Sequence, residues 1–236
     1  FYVILHTKKN EKKMENVFAQ RLVNARKIRC MSQRELRDAV DGKISSSAIA
    51  KYEKGQMMPS SDVLIMLSKA LNINLDYFFR PFTVDIDPSK FEFRKKSSMG
   101  NKKVESIKYL VCSEIEKYQE IESILNIATK FDLDYSNTLV EGESEARLLA
   151  LRLRKDFNIG SDAIVSVVDL LESKGIKIIE IDHDRTFSGT CNKACGLPVI
   201  VVNKNMTSER KRLTIFHELG HLLLHCIDGV DNEKMC

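Results

Sequence analysis

Between Val17 and Ile28, apolar residues recur at positions 18, 19, 22, 25 and 28 with Arg21, Arg26, Lys27 and Arg29 among them, the spacing of a helix that buries one stripe. The next segment, "MSQRELRDAV", opens with Ser32 as a cap, and Glu35 three residues on completes a capping box. After the turn "DGK", the run "ISSSAIAKYEKG" predicts a third helix from a serine cap to a stop at Gly55. "MMPSSDVLIMLSKALNINLDYFF" then predicts a capped fourth helix from about Ser60 to Leu71 and a last, aromatic-rich turn of helix.

The pattern lapses from Pro81 to Lys103, where two prolines, a glycine and the basic run "RKKSSMGNKK" read as a linker with short extended pieces at "FTVDI" and "KFEFR". From Val104 to Ala128 a heptad holds, and seven of its eight seam positions are apolar or aromatic, Glu114 being the exception. Such a stripe serves a helix packed on its own chain or a dimerising coiled coil. Glu143 to Phe157 and Ser161 to Lys174 read as amphipathic helices, the second stopped by Gly175. Two β-rich runs follow, "IKIIEID" and "PVIVVNKN", separated by a loop that holds Gly189 and the pair in "CNKAC". A final helix begins near Ser208.

With 236 residues, 43% of them hydrophobic and 30% charged, the chain is long enough for two small domains, each with its own core. It has no apolar run long enough to span a bilayer, so a membrane protein is not expected. The opening "FYVILHTKKNEKK" has its positive charges after its apolar run, the wrong order for a secretory signal, and reads as an unfolded or cloning-derived extension with Met14 as the natural start. Six scattered cysteines (Cys30, Cys112, Cys191, Cys195, Cys226, Cys236) form no disulfide framework and imply a reducing cytoplasm. The CxxxC spacing of Cys191 and Cys195 matches no strong zinc signature and reads as ordinary thiols.

A recognition helix offers short polar groups near its N-terminus to base edges while neighbouring cations neutralise phosphates. Ser46, Ser47 and Lys51 are expected on one exposed face of the third helix, with Ala48, Ile49 and Tyr52 in the core. Gln33, opening the second helix, can hold a phosphate or a base with its amide. From Met14 to Arg80 eleven Lys/Arg face seven Asp/Glu, a modest excess of +4. The stretch from "SQREL" to "LDYFF" resembles the lambda-repressor-like XRE helix-turn-helix, whose marks are a Gln opening the second helix, a serine-capped third helix, an aromatic-Glu-x-Gly exit, then Pro and an amphipathic fourth helix. The turn between helices two and three is about two residues longer than the commonest form. The resemblance implies binding to double-stranded operator DNA, and a protein–protein adaptor of the same fold is the rival.

The last helix carries "FHELGHLLLH". Residues four apart on a helix stand about 5–6 Å apart at Cβ, so His217 and His221 can share one metal. Glu218 lies about 100° further round, able to reach a metal-held water as general base. Leu213, Phe216, Leu219, Gly220 and Leu223 are expected to form the opposite, buried arc. His225, on the polar face of the same helix, stands about 12 Å along the axis from His217, too far for the same metal. "ERKRLTIFHELGHLLLH" after the "PVIVVN" strand resembles the ImmA/IrrE family of zinc metallopeptidase-like proteins, often joined to an XRE helix-turn-helix. That family carries a Glu soon after this helix in a Glu-x-x-Ala/Cys-Asn pattern, which "EKMC" matches as far as Cys236. The resemblance therefore assigns the third ligand of a zinc ion (Zn2+) to Glu233, with Asp228 and Asp231 as lesser candidates, and implies a domain incomplete at its C-terminus.

The expected architecture is multidomain: an N-terminal all-α, five-helix lambda-repressor-like helix-turn-helix, a long connecting helix, and a C-terminal α+β zincin-like metallopeptidase domain. Its expected boundaries are an extension over 1–13, the DNA-binding domain over 14–80, a linker over 81–103, the connecting helix over 104–130 and the peptidase-like domain over 140–236. The function expected is a bacterial, cytoplasmic transcriptional regulator that binds operator DNA through Gln33, Ser46, Ser47 and Lys51. Its zinc site of His217, His221 and Glu233, with Glu218 as base, would cleave a repressor or the chain itself on a signal. The alternative is a DNA-binding regulator or antitoxin whose peptidase fold only senses a metal or ligand. A homodimer would call for half-sites about 34–36 Å apart.

Overall fold

Local capping decides where the second and third helices start. Ser32 accepts from the Glu35 amide and Glu35 returns a bond to the Ser32 amide, opening α2 (Gln33–Ala39). Ser45 accepts from the Ala48 amide and opens α3 (Ser46–Glu53). Between them Asp41 and Gly42 both adopt left-handed backbone, φ 55° and 67°, which makes the longer turn. The structure is a computed structural model and describes residues 2–83, 86–91, 100–127, 130–131, 139–183, 186–194 and 197–226, with residues 2–13, 90, 139, 193–194 and 225–226 described by backbone alone. Helix α1 (Tyr2–Ile28) begins ahead of the apolar stripe, and α4 (Ser61–Leu71) is followed by a 3₁₀ turn, Leu75–Phe79, at the predicted aromatic segment. Residues 84–85 of "FTVDI" and 92–94 of "KFEFR" fall outside the described residues, and Pro88–Lys90 is a short 3₁₀ turn.

The chain divides into two units, residues 1–85 with 100–116 and residues 86–99 with 117–236. The first has a core of Phe18, Leu22, Leu36, Ile49, Leu67 and Phe78, with Tyr52, Leu71 and smaller residues around it. Each large side chain so buried contributes roughly 1.5–3 kcal/mol before chain entropy is counted. The first unit also takes in the start of α5 (Asn101–Leu125), where Val104, Ile107, Val111 and Ile115 are buried. The heptad is therefore committed to the chain's own interior at its first three positions, whereas Ile121 and Leu125 near its end are exposed.

Two ion pairs brace this unit from inside. Arg21, 1% exposed, places Nη1 and Nη2 at 2.7 and 2.6 Å from the two oxygens of Glu116 on α5. It also donates to the Arg80 and Pro81 carbonyls at 2.9 and 3.0 Å, and its guanidinium lies 3.8 Å from the centre of the Phe82 ring. Arg26 holds Glu53 at the end of α3 through Nε and Nη2, at 2.5 and 2.8 Å. The aromatic-Glu-x-Gly exit is explained residue by residue: Tyr52 is core, Glu53 is this ion pair, and Gly55, at φ +63°, ends the helix with little room beside Asn16 and Ala19.

The second unit is α+β. A three-stranded sheet, in the order β2-β4-β3, is formed by β2 (Lys177–Ile181), β3 (Gly189–Ala194) and β4 (Leu197–Asn203). β4 is central, buried from Pro198 to Asn203, parallel to β2 and antiparallel to β3 with Gly189 opposite Val202. Helices α6 (Glu143–Asp156), α7 (Val167–Ser173) and α8 (Ser208–Leu223) accompany it, and β1 (Leu139–Val140) pairs in parallel with β5 (His225–Cys226). Their shared core includes Leu149, Leu171, Ile176, Ile200, Val202 and Ile215. Lys177, 2% exposed, pairs with Glu122 of α5 and lies 4.5 Å from the Tyr118 ring.

Three expectations need correction. Residues 2–13, read as an unfolded extension, are helical and open α1. The loop expected to hold Gly189 and the cysteine pair is strand β3; Cys191 lies in it, half-buried, and Cys195 falls outside the described residues. Its sequence, GTCNKA, has no apolar alternation to announce a strand, and it takes its register from β4 at one edge of the sheet. The helix expected over Ser161 to Lys174 is only α7, since Asn158 and Gly160 take left-handed φ of 57° and Ser166 caps the helix by accepting from the Asp169 amide.

Candidate metal centre and nucleic-acid interface

Thr207 caps α8 and the helix runs without a break through the His-Glu-x-x-His segment. Its spacing brings His217 and His221 together as expected: their Nε2 atoms are 3.0 Å apart and the rings are nearly perpendicular, at 80°. A tetrahedral zinc with Zn–N of about 2.0–2.1 Å separates two ligating nitrogens by roughly 3.3 Å, so the pair fits two corners of such a site. Among the described residues no group of three His, Cys, Asp or Glu joins them, and Glu233, Asp228 and Asp231 lie outside those residues.

The surroundings of the pair differ from the sequence expectation. The buried arc of α8 is Thr214, Ile215, Glu218, Leu219, Leu222 and Leu223, so the acid belongs to the inner face, against the sheet. Leu213 is 63% exposed and Phe216 is half-buried beside the Arg212 guanidinium. A helix landing on a sheet presents residues at i, i+4 and i+8, and that row here is 214, 218 and 222. His225 is not on the helix: α8 ends at Leu223 and the chain turns into β5.

Two residues that frame this region have no motif to announce them. Asn203, 2% exposed at the end of β4, donates its amide to the His183 and Phe187 carbonyls, both at 3.0 Å. The connection from β2 to β3 must cross the end of β4, and Asn203 ties it there. Asn205 donates to Asp182 at 2.7 Å, and this bond, then Lys204, holds the Asp182 carboxyl below its ordinary range. Gly189 is the second, where β3 meets α8. Only a lone Asn closing a Val/Ile run, and a lone Gly before a polar strand, hint at them in the sequence.

On α3, Ser47 and Lys51 are exposed one turn apart, with Ser47 Oγ 2.9 Å from Ser45 Oγ. Ser46 does not share that face: it is half-buried, and its Oγ is enclosed with no hydrogen-bond partner among the described residues. Gln33 donates from Nε2 to Glu53 at 2.7 Å, so its amide is oriented by the Arg26–Glu53 pair. Most cations around this module have partners within it. Besides Arg21 and Arg26, Arg29 caps the end of α4 through the Leu71 and Asn72 carbonyls, Arg37 holds Asp38, Lys27 holds Glu105 and Lys102 holds Glu35. Among the described residues Arg34, Lys43, Lys51 and Lys54 on α2, α3 or their flanks, and Lys69 on α4, are exposed and have no such bond. Of these the sequence pointed only to Lys51, since pairing across the fold cannot be read along the chain.

A helix-turn-helix unit precedes an α+β unit, and comparisons with known families support a DNA-binding regulator that also carries a peptidase-like domain. Residues 24–78 match the family model described as helix-turn-helix, and residues 171–232 match the one described as IrrE N-terminal-like domain. The chain thus joins an XRE-type helix-turn-helix to an IrrE/ImmA-like domain. No curated protein and no solved structure matches it. Among the described residues no helix is long and apolar enough to cross a membrane.

Proposed function

We propose that the chain is a zinc-dependent regulator that binds operator DNA through α3 and cleaves a regulatory protein, a repressor or itself, in response to a signal. The observation that carries the peptidase half is the convergence of His217 and His221 Nε2 to 3.0 Å on the helix that buries Glu218 against β3. His217, His221 and Glu233 would hold the metal. Zinc, when bound, supplies Lewis acidity and lowers the pKa of a coordinated water to about 7. Glu218 takes the proton of the attacking water and delivers it to the leaving amine. β3, the edge strand that packs on α8, is where an extended substrate segment would add.

In the DNA-binding half, Ser47 and Lys51 address base edges, Gln33 is held for a phosphate or base by Glu53, and Arg34, Lys43 and Lys54 neutralise phosphates. The buried hydroxyl of Ser46 supports packing rather than contact.

The test is metal content with His221→Ala as control, followed by incubation with candidate repressors and with the chain alone, with and without Glu218→Gln. One zinc per chain, lost in the control, and cleavage abolished by Glu218→Gln are expected. Zinc bound but cleavage unchanged in Glu218→Gln would overturn the catalytic reading, and no zinc uptake would overturn the metal site.

A further inference from the structure

Gly189 opens β3 directly beneath α8. No left-handed φ is found at this glycine, so backbone freedom is not what the position requires. Space is. A Cβ placed on Gly189 would stand 2.6 Å from Thr214 Cγ2, 3.1 Å from the Val201 carbonyl oxygen and 3.4 Å from Glu218 Cγ. The first distance is far inside van der Waals contact, and Thr214 has little room to retreat, being 7% exposed with Oγ1 4.0 Å from Met206 Sδ. The second is to the backbone of the central strand. Thr214 and Glu218 are one turn apart on α8, so both rest on the strip of strand that lacks a side chain.

We propose that Gly189 is a positioning residue for Glu218: by leaving out a side chain where α8 lands, it sets the depth and rotation at which the helix holds its carboxylate. His217 and His221 are half-buried, and neither is among the atoms that a Cβ on Gly189 would meet first. Enlarging residue 189 therefore lifts or turns the inner face of α8, displacing the acid while leaving the histidine pair able to hold metal. The inference rests on the peptidase reading above and adds to it a separation of two roles, metal binding from placement of the base.

The experiment uses the full chain with Gly189→Ala, Thr214→Ser, the double variant and Glu218→Gln as reference. Zinc affinity is measured by calorimetry. Placement of the acid is then read from the binding of acetohydroxamate to the zinc-loaded protein, because a hydroxamate chelates the metal and shares its acidic proton with a neighbouring carboxylate. Gly189→Ala is expected to keep wild-type zinc affinity and to bind acetohydroxamate about tenfold more weakly, approaching Glu218→Gln. Thr214→Ser removes the Cγ2 that the new methyl meets, so it restores hydroxamate affinity in the double variant and changes little alone. If Gly189→Ala does not fold, Thr214→Ile crowds the same contact from the helix side and must show the same split. Wild-type hydroxamate affinity in Gly189→Ala, or no rescue by Thr214→Ser, overturns the proposal alone. A wild-type chain that takes up no zinc overturns the peptidase reading and this proposal with it.

Discussion

The two units solve the placement of a functional helix in opposite ways. In the first, α3 is delimited by its own neighbours, Ser45 at one end and Gly55 at the other, and then braced by the Arg26–Glu53 pair. In the second, α8 is delimited locally by Thr207, but the chemistry of its inner face depends on β3, a strand with no apolar pattern, and on Asn203 and Gly189. A DNA-reading surface needs an exposed face, which capping and a core stripe suffice to orient. A hydrolytic centre needs a carboxylate held to a fraction of an ångström, and only packing against a second element supplies that.

The contrast can be broken most forcefully at the buried pair of the first unit. Glu116→Ala leaves the Arg21 guanidinium buried without its carboxylate and is expected to cost about 3–5 kcal/mol in denaturant unfolding followed by circular dichroism. A loss under about 1 kcal/mol would mean that Arg21 finds water or relaxes outward. In the second unit the corresponding blow is Asn203→Ala. It removes the donor to the His183 and Phe187 carbonyls and should cost about 1–3 kcal/mol, with amide exchange rising over residues 186–188.

Smaller effects sharpen the comparison. Ser45→Ala removes the side-chain cap of α3 and should cost about 1 kcal/mol, with operator affinity falling in step, whereas affinity unchanged despite that loss would show that DNA itself orders the helix. Arg34→Gln should lower the slope of log affinity against log salt by about 0.9, while Arg29→Gln, whose charge is committed to the end of α4, should leave the slope alone. The smallest effect concerns Glu35, whose carboxyl is held down to about 2 by Lys102 first and by its bond from the Ser32 amide second. A lowered folded-state value stabilises above the ordinary carboxylate range and is lost as pH falls toward 2. The pH dependence of unfolding between about 4.5 and 2 should therefore flatten in Glu35→Gln, and an unchanged profile would place the acid sensitivity elsewhere.

Much of the fold was legible because its signals are local. A capping box, serine caps, a C-terminal glycine and i, i+4 repeats are written within a few residues, and they marked α2, α3 and the histidine pair of α8, whereas Ser60 opens α4 without the side-chain cap expected of it. The heptad of α5 was legible as a stripe but not as to its partner, since burial of Val104, Ile107 and Val111 beside the exposure of Ile121 depends on what lies across from each turn.

What the sequence determined by itself was therefore the order and ends of most helices and the meeting of His217 with His221, because helical geometry carries those over a span of a few residues. The tertiary structure alone decided the rest. It made a polar segment into β3, turned Glu218 to the inner face of α8, drew Ser46 inward, took His225 off the helix, and chose which cations stay unpaired around α3. Each of these depends on partners far away in the chain, where hydrogen bonds, close packing and ion pairs are set by proximity in space.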